Sequence, residues 1–203
     1  LKPSQVTAEV ERAYRAKRAV APSTLRMELA VLRATWNHAV KQKLLNANDL
    51  HVLDPLPPSS PPRSRVLSQD EIDRLFKSAD HPQRERVRLF LWLALHTGAR
   101  RTAIQELRWD QVDFDIDVIH YLPDGAVQSR KRKASVPISE TLKPVLQEAW
   151  ARRISDTSLV IGSGGKINEP LRLVAEKAGV AGVTPHVMRH TAATIMARSG
   201  VSI

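Results

Sequence analysis

Leu25, Leu29, Leu32, Trp36 and Val40 recur every three or four residues, the spacing of one face of an α-helix. A break at Ala21-Pro22 precedes this helix, and Ser23 or Thr24 is its expected cap. Before the break, residues 4–20 read as a shorter helix with basic positions at Arg12, Arg15, Lys17 and Arg18. Further on, Ser68-Gln69-Asp70-Glu71 forms a capping box ahead of Ile72, Leu75 and Phe76. The helix from Pro82 through Leu95 is apolar nearly all round, which predicts a buried central helix with Gly98 just past its end. Ile104 and Leu107 belong to the helix after it. Val112 to Tyr121 and Ala134 to Ile138 read as strands around a turn at Pro123-Asp124-Gly125, with Arg130-Lys131-Arg132-Lys133 at the hairpin tip. Ser139 is the expected cap of a helix carrying Leu142, Val145, Leu146, Ala149 and Trp150. A short apolar segment, Leu159-Val160-Ile161, precedes a loop at Gly162-Ser163-Gly164-Gly165, and Pro170 to Ala178 is a helix closed by Gly179. Thr184-Pro185 opens the last helix and Gly200 ends it. The expected fold is mainly α with a small antiparallel β-sheet.

Pro55-Leu56-Pro57-Pro58-Ser59-Ser60-Pro61-Pro62-Arg63 interrupts this pattern, because such a proline density forbids helix and favours an extended spacer. It predicts two domains: a helical module at residues 1–54, a linker at 55–64 and a larger domain at 65–203. At about 3.1 Å per residue the linker could reach roughly 25–30 Å.

Composition sharpens the picture at two points. The 203 residues carry a net charge of +10, which points to a polyanionic partner. There is no cysteine, so disulfides and thiolate metal sites are excluded and a reducing compartment is compatible. The apolar run Val87–Leu95 is interrupted by Arg88 and too short to span a bilayer; no membrane association and no signal peptide are expected. The chain starts at Leu1 without a Met, so the natural N-terminus is expected upstream.

Candidate chemistry concentrates in two stretches. In Thr184-Pro185-His186-Val187-Met188-Arg189-His190-Thr191, the residues His186, Arg189 and His190 fall at i, i+3 and i+4, on one helix face near its positive end. A proton-transfer group beside a fixed cation suits a phosphate site. Thr97-Gly98-Ala99-Arg100-Arg101 supplies a second clamp. Read alone, either arginine could cap the carbonyls of the preceding helix, Arg101 better than Arg100. A zinc site on His186 and His190 lacks a Glu after the first His and a third ligand. No metal or cofactor is expected.

Thr97-Gly98-Ala99-Arg100, then Leu107-Arg108-Trp109-Asp110-Gln111-Val112-Asp113-Phe114, a basic hairpin ending Val136-Pro137-Ile138, and His186-Val187-Met188-Arg189-His190-Thr191 follow one another in an order that resembles the tyrosine recombinases, phage-type integrases in particular. The resemblance is strong over residues 65–203 and weaker before the linker. It implies a catalytic domain preceded by a core-binding-like module, and DNA cleavage and rejoining through a 3′-phosphotyrosyl intermediate. By resemblance Arg100 and Arg189 are the catalytic arginines and His186 the acid–base partner. A hairpin lysine, Lys131, protonates the departing 5′-hydroxyl, with Arg130 and Lys133 as alternatives in register. His190 is expected to pack or hydrogen-bond beneath the site. Arg26, Arg33, Arg101, Arg130, Arg132 and Lys133 are the expected contacts to double-stranded DNA.

Two departures accompany the resemblance. Ala103 stands where family members often carry Asp or Glu, and the only tyrosines, Tyr14 and Tyr121, do not match the family's nucleophile. The expectation is therefore a chain that binds DNA but does not cleave it, a truncated integrase. The complete protein would act as a homo-oligomer, a tetramer on DNA, with this chain expected to be monomeric alone; it would be cytoplasmic and nucleoid-associated, of prokaryotic or phage origin. The alternative is a non-catalytic regulatory or architectural DNA-binding protein derived from an integrase. An RNA-binding role is disfavoured by an aromatic content of 4%, since it would need stacking platforms.

Overall fold

The computed structural model describes residues 2–59, 65–122, 135–155, 158–162 and 165–200. The basic tip Arg130–Lys133, the turn at Pro123-Asp124-Gly125 and the second half of the expected linker lie outside them. The chain divides into two compact units, Leu1–Arg63 and Ser64–Ile203.

The first unit holds α1 (Ala8–Lys17) and α2 (Pro22–Lys41). Thr7 caps α1 by accepting from the Val10 N–H at 3.4 Å. Ala21 is the residue before α2, and Pro22 occupies its first turn. Ser23 and Thr24 thus lie inside the helix rather than capping it, because Pro22 already presets the helical φ and has no N–H to satisfy. Leu29 and Trp36 of the apolar stripe are buried, as is Leu53 from the segment that follows.

That segment is held by charge. Glu11 is 3% exposed, yet its carboxylate takes Arg15 Nε at 2.8 Å, His51 Nε2 at 2.9 Å and the Asp54 N–H at 3.2 Å. Burial acts against its ionisation, but the bonds from Arg15, Asp54 and His51 outweigh it and hold the pKa below the ordinary value. Arg15 also donates to the Asp54 and Pro55 carbonyls, Arg33 to the Leu53 and Asp54 carbonyls, and Arg26 to the Pro57 carbonyl at 2.8 Å. The Pro55 and Pro57 carbonyls of the expected spacer are thus bonded within this unit. Extended, proline-rich backbone leaves its carbonyls without partners, and the arginines of α1 and α2 supply them. Arg26 and Arg33, expected on DNA, are engaged in this way within the unit.

In the second unit, α3 (Gln69–Ala79) starts with the expected capping box: Ser68 Oγ accepts from the Glu71 N–H at 3.2 Å, and Glu71 accepts from the Ser68 N–H at 2.9 Å. The central helix is α4 (Glu85–Thr97), and Phe90, Leu91 and Leu93 on it are fully buried. It packs on α3, on α5 (Arg101–Glu106), on α7 (Asn168–Lys177) and most extensively on α8 (Pro185–Arg198). Neighbours cover most of its circumference and leave only a partly buried stripe through Arg88, Trp92 and Leu95, which is why its sequence is apolar nearly all round. α6 (Lys143–Ala151) begins four residues after Ser139, whose carbonyl and hydroxyl accept the Leu142 N–H in the turn ahead of it.

Three short strands, β1 (Val112–Asp113), β2 (Val118–His120) and β3 (Ser135–Pro137), form an antiparallel sheet in that order. Val112 pairs with Ile119, and Ile119 with Val136, which puts these apolar residues in register. Trp109 and Phe114, on either side of β1, both meet the ring of Trp150 edge-on, at 5.4 and 5.7 Å, and fasten the sheet to α6. Gln111 is buried and donates to the His120 carbonyl at 2.6 Å while accepting from the Arg108 N–H.

Candidate active site

The site forms where the end of α4 meets the start of α8. Thr184 has extended backbone and accepts from the Val187 N–H at 3.2 Å, with Pro185 next in the first turn. Val187, Met188, Thr191 and Ala192 turn inward and are buried. His186, Arg189 and His190 consequently lie on the opposite side, His186 and His190 exposed and Arg189 half-buried. Thr191, 0% exposed, donates to the Val187 carbonyl and accepts from the Leu67 N–H at 3.0 Å. This bond ties the start of the second unit to the helix that carries the site.

α4 ends in a left-handed residue, Gly98, with φ +59°. Arg100 follows with extended backbone as the residue before α5, and its side chain is exposed. The Gly98 carbonyl accepts from Arg189 Nη1. Arg189 from α8 thus serves the carbonyl just past this helix end. Arg101 points elsewhere, donating to Asn168 Oδ1 at 3.2 Å at the start of α7.

The two arginines named in the sequence are brought within each other's field. Burial, and then the like charge of Arg100, lower the Arg189 pKa below the ordinary guanidinium value. A guanidinium remains cationic under such a shift. Among the described residues no carboxylate pairs with Arg189. Two guanidiniums near one another are a grouping chemically suited to a phosphate's oxygens. His186, in the first turn of α8, is on the same helix face as Arg189.

His190 is exposed, not packed beneath the site; the inward positions are those of Met188 and Thr191. The helical period decides this, since a residue four after exposed His186 returns to the same outward side. Ala103 is buried in the core, so no acidic side chain buttresses Arg100 from that position. Tyr121 is 4% exposed, with its pKa raised by burial, and hydrogen-bonds Thr97 at 2.9 Å. Tyr14 donates to Glu28 at 2.7 Å in the first unit. Lys131 and the other tip residues Arg130, Arg132 and Lys133 lie outside the described residues. His96 stacks on Trp92 and hydrogen-bonds Ser139, an ordinary packed histidine. No group of three or more potential His, Cys, Asp or Glu metal ligands occurs among the described residues. Among them, too, no helix is long and apolar enough to cross a membrane.

Sequence reasoning missed the pinning role of Thr191 and the carbonyl contact of Arg189. Polar Thr191 at a buried helical position was a signal for the first; nothing in the sequence signals the second.

This arrangement of helices around α4, with a three-stranded sheet at one side, is that of the integrases. A Tn1549 transposon integrase in complex with a circular intermediate DNA superposes with a TM-score of 0.73 at 16% identity, covering 96% of this chain and 72% of that one. The lambda integrase bound to DNA gives a TM-score of 0.68 at 17% identity, covering 95% and 70%. Residues 65–203 match the phage integrase family, and the chain belongs to that family. Tyrosine recombinase XerC of Oceanobacillus iheyensis is 27% identical over 194 residues, 87% of this chain and 62% of that protein. Tyrosine recombinase XerA of Thermococcus kodakarensis is 29% identical over 160 residues, 73% of this chain and 55% of that protein. The chain therefore spans 55–62% of the length of these two relatives.

Proposed function

We propose that this chain carries the phosphate-holding half of a site-specific DNA recombinase that cuts and rejoins double-stranded DNA through a 3′-phosphotyrosyl intermediate. The observation that supports it most directly is that Arg100 and Arg189, distant in sequence, are near enough for the charge of Arg100 to lower the Arg189 pKa, while Arg189 bonds the Gly98 carbonyl two residues before Arg100. A scissile phosphate would sit with its non-bridging oxygens toward the two guanidiniums. Attack by a tyrosine oxygen forms a new O–P bond and adds charge to those oxygens as the five-coordinate state develops. Two cations already in place stabilise that charge without reorganising. His186 accepts the proton from the attacking hydroxyl, and Lys131 donates one to the 5′-oxygen as the P–O5′ bond breaks. No cofactor is required, because the phosphotyrosyl ester keeps the bond energy for rejoining.

Tyr14 and Tyr121 are both committed to internal hydrogen bonds, so the nucleophile is to be sought outside these 203 residues. Arg101, Arg130, Arg132 and Lys133 are the proposed contacts to flanking phosphates. Arg26 and Arg33 would take part with the donors left over from their carbonyl bonds. The complete recombinase would work at the prokaryotic or phage nucleoid as a homo-oligomer on DNA, with residues 1–54 as a core-binding-like module. Protein expressed from the whole gene and given a nicked suicide duplex should form a denaturant-resistant 3′-phosphotyrosyl adduct, absent in Arg100→Ala and Arg189→Ala. Salt-sensitive duplex binding with no adduct would instead support a non-catalytic DNA-binding protein.

A further inference from the structure

We propose that the buried hydroxyl pair Thr97–Tyr121 is a positioning device for the phosphate clamp, setting the loop that carries Arg100 and that presents its carbonyl to Arg189. This rests on the reading of Arg100 and Arg189 as a clamp.

Thr97 is the last residue of α4 and is 8% exposed. A threonine hydroxyl has one hydrogen and two lone pairs. Thr97 Oγ1 donates its hydrogen to the Leu93 carbonyl at 2.6 Å. Its two lone pairs then accept the Ala99 N–H at 3.2 Å and the Tyr121 hydroxyl at 2.9 Å. With the threonine hydrogen committed to Leu93, Tyr121 must be the donor. Every valence of this oxygen is filled, so the Ala99 N–H, one residue before Arg100, is held in place from beneath.

Gly98 stands between the two anchored residues. Its φ of +59° is a conformation that side chains rarely adopt, while a Cβ there would make only an ordinary 3.6 Å contact with Ala192. The backbone turn, not crowding, therefore requires glycine, and the turn directs the Gly98 carbonyl to Arg189. Tyr121 is itself fixed. It follows β2 directly, and the carbonyl of His120 before it is held by buried Gln111. A continuous set of bonds thus runs from the sheet through Tyr121 and Thr97 to the loop between the two arginines. The arginines repel each other, so their spacing must be imposed by the frame around them. Burial raises the Tyr121 pKa and keeps the hydroxyl in its donating form.

The test uses the 203-residue protein and inorganic phosphate, followed through the arginine Nε–H resonances by NMR. Wild type should show Arg100 and Arg189 signals moving together with one dissociation constant, lost in Arg100→Ala and Arg189→Ala. Thr97→Val and Tyr121→Phe should each weaken phosphate at least fivefold, with Thr97→Ser within twofold of wild type. Melting curves identify a temperature at which all variants are folded. A pair that only stabilises the fold would lower Tm there and leave the phosphate constant unchanged, which would overturn the proposal. Should Thr97→Val not fold, Tyr121→Phe decides alone, because Thr97 keeps its bonds to Leu93 and Ala99. If the arginine variants themselves bind phosphate normally, the clamp reading fails, and this inference with it. If they lose binding while Tyr121→Phe does not, only the inference fails.

Discussion

Replacing Arg189 by lysine preserves charge and removes the planar fork, which separates two roles that alanine would remove together. Arg189 Nη1 is already committed to the Gly98 carbonyl, leaving the rest of the guanidinium to face a phosphate. A lysine ammonium offers its three donors from a single point on a flexible stem and cannot serve a carbonyl and a phosphate along two edges at once. The variant therefore forfeits about one charge-assisted hydrogen bond, worth about 1.5–3 kcal/mol, or roughly a ten- to hundredfold loss in duplex affinity. Because the charge remains, the dependence of log K on log salt should keep its slope. Arg189→Ala should lower that slope by about one as well as weaken binding. Fluorescence anisotropy of a labelled duplex at several salt concentrations measures both quantities. Arg189→Lys binding at wild-type strength would refute the argument that geometry, rather than charge alone, matters here. An unchanged slope in Arg189→Ala would refute the phosphate contact itself.

Three further outcomes are expected. Thr191→Val fills the same volume but strands the buried Leu67 N–H, so it should destabilise the second unit by about 2 kcal/mol, while Thr191→Ser, which keeps the hydroxyl, should lose less; thermal unfolding compares them. Glu11→Gln should loosen residues 51–54 by about 3 kcal/mol, because it breaks a carboxylate buried among Arg15, His51 and the Asp54 N–H; faster hydrogen exchange at Asp54 is the readout, and unchanged exchange would contradict it. The Arg65 guanidinium and the Ser68 N–H depress the Glu71 pKa from 4.5 to about 2. A lowered folded-state pKa means its stabilisation is complete above about pH 4.5 and is lost as pH falls toward 2. The Tm difference between wild type and Glu71→Gln should accordingly shrink as pH is lowered from 5 to 3, whereas a constant difference would deny the linkage.

Most elements, and the candidate residues themselves, could be read from the order of amino acids. Local physics writes itself into adjacent positions. The capping box Ser68–Glu71, the uniformly apolar Phe90–Leu95 stretch and the Thr184-Pro185 helix start were legible because capping, burial and φ preference act within a few residues. The helical period likewise placed His186 and Arg189 on one face. How these pieces are used depends on the folded arrangement. It gave Arg189 the Gly98 carbonyl, turned Arg26 and Arg33 toward the backbone of residues 53–57, and joined Tyr121 to Thr97 beneath the Arg100 loop. It also left His190 exposed. Each of those outcomes depends on which distant backbone group or hydroxyl arrives beside a side chain, and a one-dimensional pattern carries no record of that.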